Sequence, residues 1–197
     1  AMQELRKQIE EQPRSASGGF WHKKIYPNQM WLDGLYMGEP FYAEYAMLSH
    51  DEKAFDDIAN QFIWMENHAR DKATGLLYHG WDESKQMDWA NKTTGVSPNF
   101  WARAMGWYAM ALVDVLDYFP EHHIKRKKLV DILNRTVNAF AKVQDAKTGL
   151  WYDILNKPTI KGNYFEASAS SMFVYAVAKG VRLGVLPASK LSIAQKG

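Results

Sequence analysis

The chain of 197 residues is 47% hydrophobic and has a formal charge of only +2, so it can form one sizeable core and lacks a general attraction for nucleic acid. The densest basic run, residues 125–128, falls at a predicted helix start and is interpreted as a solvated surface. The absence of cysteine excludes a disulfide framework and thiolate metal sites, and no apolar stretch has the length of a membrane span.

Apolar residues recur along the chain at spacings of three and four, which is typical of helices. The predicted helices cover residues 31–48, 52–70, 98–118, 122–143 and 165–184, with partial helices at both ends of the chain. Asp51 or Ser49 can cap the second helix, and Ser97 with Pro98 should open the third. Because no segment alternates with a period of two, we expect an all-α fold, with strands only as short hairpins in loops.

Two further patterns repeat. The segment 71-DKATGLLY-78 returns as 145-DAKTGLWY-152, and Asp and Gly at these offsets are typical of a tight turn. Three predicted helix starts carry an aromatic residue followed two places later by a charged one, in 31-WLD-33, 101-WAR-103 and 164-YFE-166. Such repeats predict stacked helix pairs, arranged either as a closed ring or as a linear superhelix.

Helix polarity indicates where a site would lie. In a ring, the first helices of all pairs run the same way, so their N-termini gather at one end and favour anions there. The long loops 79–97 and 153–164 should enter that same end. We therefore expect Asp33, Arg103 and Glu166 to meet across one cavity.

Asp33 is the leading catalytic candidate. Its apolar neighbours should raise its pKa and make it able to give and take a proton, although a first-turn Asp can also simply complement the helix dipole. Standard glycosidases use two carboxylates, and Asp33 could form such a pair with Glu166, Asp82 or Asp88. Sequence spacing does not decide between these possibilities.

Arg103 lies between Trp101 and Trp107, where a planar guanidinium near aromatic rings suggests a sugar acid as ligand; alternatively, it only packs on a tryptophan. His79 follows the first repeated turn and is either a site residue or a hydrogen-bonded loop residue. Lys23 precedes the first long helix and could pair with an anion or be solvated. The six histidines lack HxH or HExxH spacing, so we expect no metal site.

Three stretches of the chain, YPNQMWLDGLYM, YHGWDES and SPNFWARAMGWYAMALVDVL, closely resemble unsaturated rhamnogalacturonyl hydrolases of glycoside hydrolase family 105. The likeness runs over residues 21–184. It implies an (α/α)6 barrel, of which about three of the six helix pairs are present. We expect residues 1–197 to form one domain, which is a fragment of the catalytic domain. The N-terminal third and the C-terminal end of the family's domain are missing. In the family, the N-terminal third carries a further active-site Asp.

The resemblance also implies a reaction without cofactor or metal. The catalytic acid would protonate C4 of an unsaturated galacturonyl group made by a pectin lyase, and water would add at C5. The motif match implies that Asp33 is that acid. By the same match, the residues that line the sugar-acid subsite would be Lys23, Trp31, His79, Trp101, Arg103 and Trp107. We expect a cytoplasmic enzyme with no nucleic-acid or membrane partner. The alternatives are an unsaturated glucuronyl hydrolase acting on glycosaminoglycan disaccharides, and a non-catalytic fragment that binds sugar acids.

Overall fold

The computed structural model describes all 197 residues and confirms the all-α prediction. The helices are α1 (Met2–Glu10), α2 (Leu32–Ser49), α3 (Glu52–Ala69), α4 (Ala102–Tyr118), α5 (Arg126–Ala141), α6 (Ala167–Arg182) and α7 (Leu191–Lys196), with a 3-10 turn over Ala188–Lys190. Two short strands, β1 (Gln29–Trp31) and β2 (Gly80–Asp82), form an antiparallel pair. No helix combines the length and the apolar character needed to cross a membrane.

Successive helices pack as pairs, α2 with α3, α4 with α5 and α6 with α7. The first helices of the pairs stand side by side, with α4 packed between α2 and α6, while α3 and α5 contact each other behind them. Helix α4 is buried on most of its surface because it has a neighbour on each side. A single cluster of 42 buried hydrophobic residues joins the pairs.

The third predicted helix begins later than expected, at Ala102 instead of residue 98. Residues 97–98 therefore do not open it, and this prediction was wrong. The cause lies in the long loop after α5. The Ala102 N–H donates to the Asp153 carbonyl at 2.8 Å, and the Leu155 N–H donates to the Phe100 carbonyl at 3.1 Å. These pairings hold the preceding residues in an extended conformation.

Side-chain hydrogen bonds stabilise two of the helix ends. Asp51 caps α3, accepting a hydrogen bond from the Ala54 N–H at 3.3 Å, as one of the two predicted alternatives. The basic run begins α5 at Arg126, four residues later than predicted. The Arg126 Nη1 donates to the carbonyls of Leu116 and Phe119, at 3.1 and 2.6 Å, and so provides a hydrogen-bond donor for carbonyls at the C-terminal end of α4.

The repeated turns have the geometry that their shared sequence predicts. In turns 71–76 and 145–150, the Asp carboxylate accepts hydrogen bonds from the Thr N–H and hydroxyl, and the Gly takes a positive φ, 77° and 78° respectively. A third such turn, 91–96, was not predicted because Asn91 replaces the Asp. Its Gly95 has φ 81°.

The two strands are not a local hairpin, contrary to the expectation from sequence. β1 lies directly before α2 and β2 lies in the loop after α3, and they pair with Trp31 opposite Gly80. Just beyond this pairing, the Leu32 N–H donates to the His79 carbonyl at 3.0 Å. The loop after α3 is therefore anchored at the N-terminus of α2, where the candidate site lies.

Candidate active site

Asp33 lies in the first turn of α2 and is only 8% exposed. Its Oδ2 atom is buried and has no hydrogen-bond partner. Burial raises the pKa of Asp33, while its own backbone N–H and the positive charges of Arg103 and Lys23 act in the opposite direction and do not cancel the rise. A role in complementing the helix dipole does not explain the buried, unpartnered oxygen, which suits a group that carries and transfers a proton.

Arg103 and Glu166 join the starts of two neighbouring helices. Arg103, in the first turn of α4, donates from Nη2 to Glu166 Oε1 at 3.0 Å. Glu166 is the N-cap of α6 and also accepts hydrogen bonds from the Ala169 N–H and, at 2.8 Å, from the Ser168 hydroxyl. Burial alone would raise the pKa of Glu166, but these hydrogen bonds and the Arg103 charge outweigh burial and lower it.

The expected meeting of the three charged residues is therefore only partly realised. Arg103 and Glu166 pair directly, but Asp33 makes no hydrogen bond to either of them, although the Arg103 charge acts on it. Because its pKa is lowered, Glu166 is an anion, as the base or nucleophile of a glycosidase pair would be. Both of its oxygens are, however, engaged by Arg103, Ser168 and the Ala169 N–H.

Aromatic rings form a wall beside these groups. The His79 ring stands edge-on to both Trp31 and Trp101, with centroid distances of 5.8 and 5.9 Å. The Trp101 Nε1 donates to Asp153 Oδ1 at 2.9 Å, which fixes the indole, and the Arg103 guanidinium carbon lies 5.5 Å from the Trp101 ring centroid. Such rings, with donors at their edges, suit the apolar face and polar rim of a sugar.

His79 is held by one ring nitrogen. Its Nδ1 lies 3.1 Å from the Ser97 hydroxyl and 3.3 Å from the Asn99 carbonyl, while Nε2 makes no hydrogen bond. Burial lowers the pKa of His79, so the imidazole is neutral at pH 7. His79 therefore makes the hydrogen bonds expected of a loop residue, and its Nε2 is still available for a role as a site residue.

Lys23 and Trp107 are the two remaining candidate residues. Lys23 is exposed in the loop before β1, and its Nζ is 5.6 Å from the Tyr26 ring centroid. Trp107 lies one turn beyond Arg103 on α4, and its ring packs at 4.7 Å against Tyr36 of α2. Trp107 therefore links α2 and α4.

Asp82, the loop alternative for a second carboxylate, is committed to its own loop. It is fully buried and accepts hydrogen bonds from the Ser84 N–H, the Ser84 hydroxyl and the Met87 N–H, at 2.9, 2.6 and 2.9 Å. These bonds outweigh burial and lower the pKa of Asp82. Asp88 is exposed. No group of three or more His, Asp or Glu side chains is arranged to hold a metal ion.

Two aromatic residues near the site were missed by the sequence analysis. His22 and Tyr26 stack nearly parallel to Trp31, with ring centroids 4.9 and 5.6 Å from it. The His22 and Tyr26 rings are themselves nearly parallel, with centroids 6.3 Å apart. They lie in a loop without apolar periodicity, and their four-residue spacing carries no recognisable signal outside a helix.

A pocket of about 230 Å³ is lined in part by His22 and Trp31 of this stack and does not include Asp33. It is bordered by α1, α2 and the loop between them. Three buried polar atoms without hydrogen-bond partners belong to residues that line it: Trp21 Nε1, His22 Nδ1 and Glu39 Oε2. Burial is the main reason that the pKa of His22 is lowered to about 4, with a contribution from the Lys23 charge.

The fold and the site define an (α/α)-barrel protein. A protonatable acid, an arginine and aromatic rings lie at the N-terminal ends of its inner helices, which are the first helices of the pairs (α2, α4 and α6). The sequence model described as Glycosyl Hydrolase Family 88 matches residues 1–197, and the chain belongs to this family of glycoside hydrolases.

Related proteins agree with this assignment. A solved glycoside hydrolase of family 105 from C. acetobutylicum is 54% identical, with a TM-score of 0.95 over 98% of this chain and 54% of that chain. The unsaturated rhamnogalacturonyl hydrolase YesR of Bacillus subtilis is 29% identical over 180 residues, 89% of this chain and 49% of YesR. A 24.9 kDa protein in the picA locus of Rhizobium radiobacter is 40% identical over 152 residues, 76% of this chain and 63% of that protein.

A solved unsaturated glucuronyl hydrolase from a Bacillus species, 12% identical with a TM-score of 0.70, shares the fold. These comparisons confirm the predicted barrel architecture and the resemblance to family 105. The chain spans about half to two thirds of the length of the relatives that it matches.

Proposed function

We propose that the protein removes an unsaturated galacturonyl group from lyase-generated rhamnogalacturonan oligosaccharides by hydration of the C4–C5 double bond. The observation that carries this proposal is the Asp33 carboxyl group, which is buried, has an unpartnered oxygen and has a raised pKa beside an arginine. A lone acid of this kind suits protonation of a double bond, which needs one proton donor. The similarity to YesR supports the choice of substrate.

In the proposed reaction, the Asp33 proton adds to C4, and positive charge develops at C5 and the ring oxygen. The oxygen of a water molecule bonds to C5, and the proton released by that water returns to the Asp33 carboxylate. The resulting hemiketal breaks its bond between C5 and the ring oxygen to form a ketone at C5. The hemiacetal left at C1 then expels the rhamnose hydroxyl, so one water is consumed and the acid is regenerated.

The other site residues have proposed binding roles. The free donors of Arg103 would bind the substrate carboxylate, since a guanidinium matches a carboxylate in shape and charge. Trp31 and Trp101 would contact the faces of the sugar rings, and His79 Nε2 would hydrogen-bond a hydroxyl. Lys23 and Trp107 are assigned to the rim.

Replacement of the acid tests the mechanism. Asp33→Asn keeps the shape but removes the transferable proton, so turnover should fall by about 100- to 10,000-fold with substrate binding retained. The assay follows the loss of ultraviolet absorbance of the unsaturated disaccharide. Asp88→Asn, the same change at an exposed residue of the loop after α3, is the matched control and should leave the rate unchanged. Near-normal turnover by Asp33→Asn would remove Asp33 from this role.

Substrate choice is tested by comparing rates on unsaturated galacturonyl-rhamnose and on unsaturated glucuronyl disaccharides from glycosaminoglycans. Faster turnover of the first supports the proposal, and faster turnover of the second favours the sister activity. Uronate binding without any loss of absorbance by the intact protein would identify a binding module instead.

We also propose that residues 1–197 form one domain that belongs to a larger (α/α)6 catalytic domain and that works in the cytoplasm on imported oligosaccharides. The longer relatives support the first part, and a cysteine-free composition is compatible with a reducing compartment. The intact mass of the native protein tests the first part. Fractionation of the source cells tests the second, which recovery outside the cytoplasm would contradict.

A further inference from the structure

We propose that Glu166 is a positioning residue, which holds the Arg103 guanidinium in the orientation that binds the carboxylate of the substrate. This inference rests on the proposed function and deepens it. Glu166 itself would not touch the substrate. It would act through Arg103, from the start of the neighbouring helix in the barrel.

Glu166 has the properties of a rigid anchor. It is 5% exposed, and hydrogen bonds from the Ala169 N–H, the Ser168 hydroxyl and Arg103 hold its two oxygens. The N-terminus of α6 also favours a negative charge at this position. A carboxylate fixed by these groups cannot rotate freely, so the Arg103 nitrogen bonded to it is fixed as well.

Arg103 retains donors that this anchor does not use. Only Nη2 is hydrogen-bonded, Nη1 makes no hydrogen bond, and the side chain is 39% exposed. The guanidinium is thus tethered at Nη2 beside the Trp101 ring, its Nε is buried without a partner, and Nη1 is left free to bind a ligand. A tethered, planar fork loses less conformational entropy on binding a carboxylate than a free side chain does.

The Glu166 charge also competes with Asp33 for Arg103. The nearby ionised groups that act on Asp33 are Arg103 from α4 and Lys23 from the loop before β1, while His79, from the loop after α3, is neutral. Asp153, from the loop after α5, is already engaged by the Trp101 Nε1 donor. If the Glu166 charge were removed, Arg103 would therefore be released to pair with Asp33, on which its charge already acts. Such a pair would stabilise the ionised acid and occupy the donors meant for the substrate.

The main test is Glu166→Gln in the intact protein. Glutamine has the same shape and can still accept a hydrogen bond from the Ala169 N–H, so the change chiefly removes the charge. Loss of one charge-assisted bond should raise KM for the unsaturated disaccharide about tenfold or more, with a much smaller effect on kcat. The alkaline limb of the pH–rate profile should move to lower pH, since Asp33 must be protonated to act. Glu166→Asp keeps the charge, so its KM should lie between those of Glu166→Gln and the wild type.

Asp51→Asn is the matched control because it removes a charged cap from α3 without touching the site. It should lower stability slightly and leave KM and the pH profile unchanged. A Glu166→Gln enzyme that loses only stability, with KM and pH profile as in the wild type, would show that Glu166 is a structural cap and overturn the inference.

Two further readouts separate this inference from the proposed reaction. NMR of the Arg103 side-chain nitrogens should show faster rotation about the Cζ–Nη2 bond in Glu166→Gln, and calorimetry should show weaker galacturonate binding. If the wild type does not turn over the disaccharide but binds galacturonate in a Glu166-dependent way, the reaction is wrong and the positioning role stands. Unchanged Arg103 rotation, or no galacturonate binding by the wild type, would reject the positioning role.

Discussion

Asp33, in the first turn of α2, and Asp82, at the end of β2, are both buried but differ in their hydrogen bonds. Asp33 has an unpartnered oxygen and a raised pKa, whereas the Asp82 oxygens accept several loop hydrogen bonds and its pKa is lowered. Burial acts in the same direction on both residues, so the partners decide the outcome. Only the first of these groups is suited to proton transfer.

This contrast predicts opposite effects on stability. A raised pKa means that folding opposes ionisation of Asp33, so its unfavourable contribution develops as pH rises above its ordinary pKa of 3.8. Asp33→Asn should therefore stabilise the protein at pH 7, by about 0.5–2 kcal/mol, and the gain should vanish in acid. Urea denaturation at several pH values measures this change, and a loss of stability at pH 7 would contradict it.

Asp82→Asn is the control of opposite sign. Because the pKa of Asp82 is lowered in the folded protein, its favourable contribution is present above the ordinary value of 3.8 and is lost as pH falls through the folded value. The substitution should destabilise the protein at pH 7, and its effect should diminish in acid. The same denaturation series covers both variants.

At the scale of elements, the three Asx-type turns show why the long loops keep defined paths. Each turn reverses the chain through a glycine with positive φ, a conformation that side chains with a Cβ adopt at a cost. The turns differ in what surrounds that glycine. A Cβ at position 75 would lie 3.4 Å from the Ala139 Cβ, but one at position 95 would lie 2.3 Å from the Asp82 carbonyl oxygen.

Alanine substitutions at these glycines should therefore differ in severity. Gly75→Ala should cost about 1–2 kcal/mol from backbone strain alone. Gly95→Ala adds a collision with the backbone of β2, so it should cost clearly more, about 3 kcal/mol or above, and also disturb the loop after α3. Chemical denaturation of both variants measures the difference, and equal losses would show that the contact at Gly95 relaxes without cost.

At the scale of the whole molecule, the helix pairs are held together by one apolar core and by a few ion pairs between neighbouring inner helices. Lys179 of α6 donates to Asp114 of α4 at 2.8 Å and also pairs with Asp117. Its side chain is 9% exposed. Burial would lower the pKa of Lys179, but the hydrogen bonds to these carboxylates outweigh it and raise the pKa, so the pair contributes fully at pH 7.

Lys179→Met should loosen the contact between α4 and α6. It would leave two partly buried carboxylates without their shared cation, and we expect a loss of about 1–3 kcal/mol, discounted for the partial exposure of the acids. Thermal unfolding measures the loss. The double variant with Asp114→Asn should recover part of it because one unpaired charge is then removed. A single variant as stable as the wild type would show that apolar packing alone holds the two helices.

The sequence by itself determined the local features of this protein. Apolar periodicity placed α2 through α6 within about four residues, and the two DxxTGL segments predicted their turns, because both signals depend on neighbours along the chain. Charged residues at the helix starts could be identified for the same reason, and the resemblance to family 105 indicated Asp33 as the acid. That role stays a prediction until the variant is measured.

Only the tertiary structure decided how distant segments meet. Arg103 and Glu166 are 63 residues apart and pair because α4 packs on α6, and no spacing rule encodes that contact. The pairing of β1 with β2, and the late start of α4 beside Asp153, likewise depend on loops brought together by helix packing. Desolvation is also a property of the packed state, so burial of an acid and its partners, which together set its pKa, can be read only from the folded molecule.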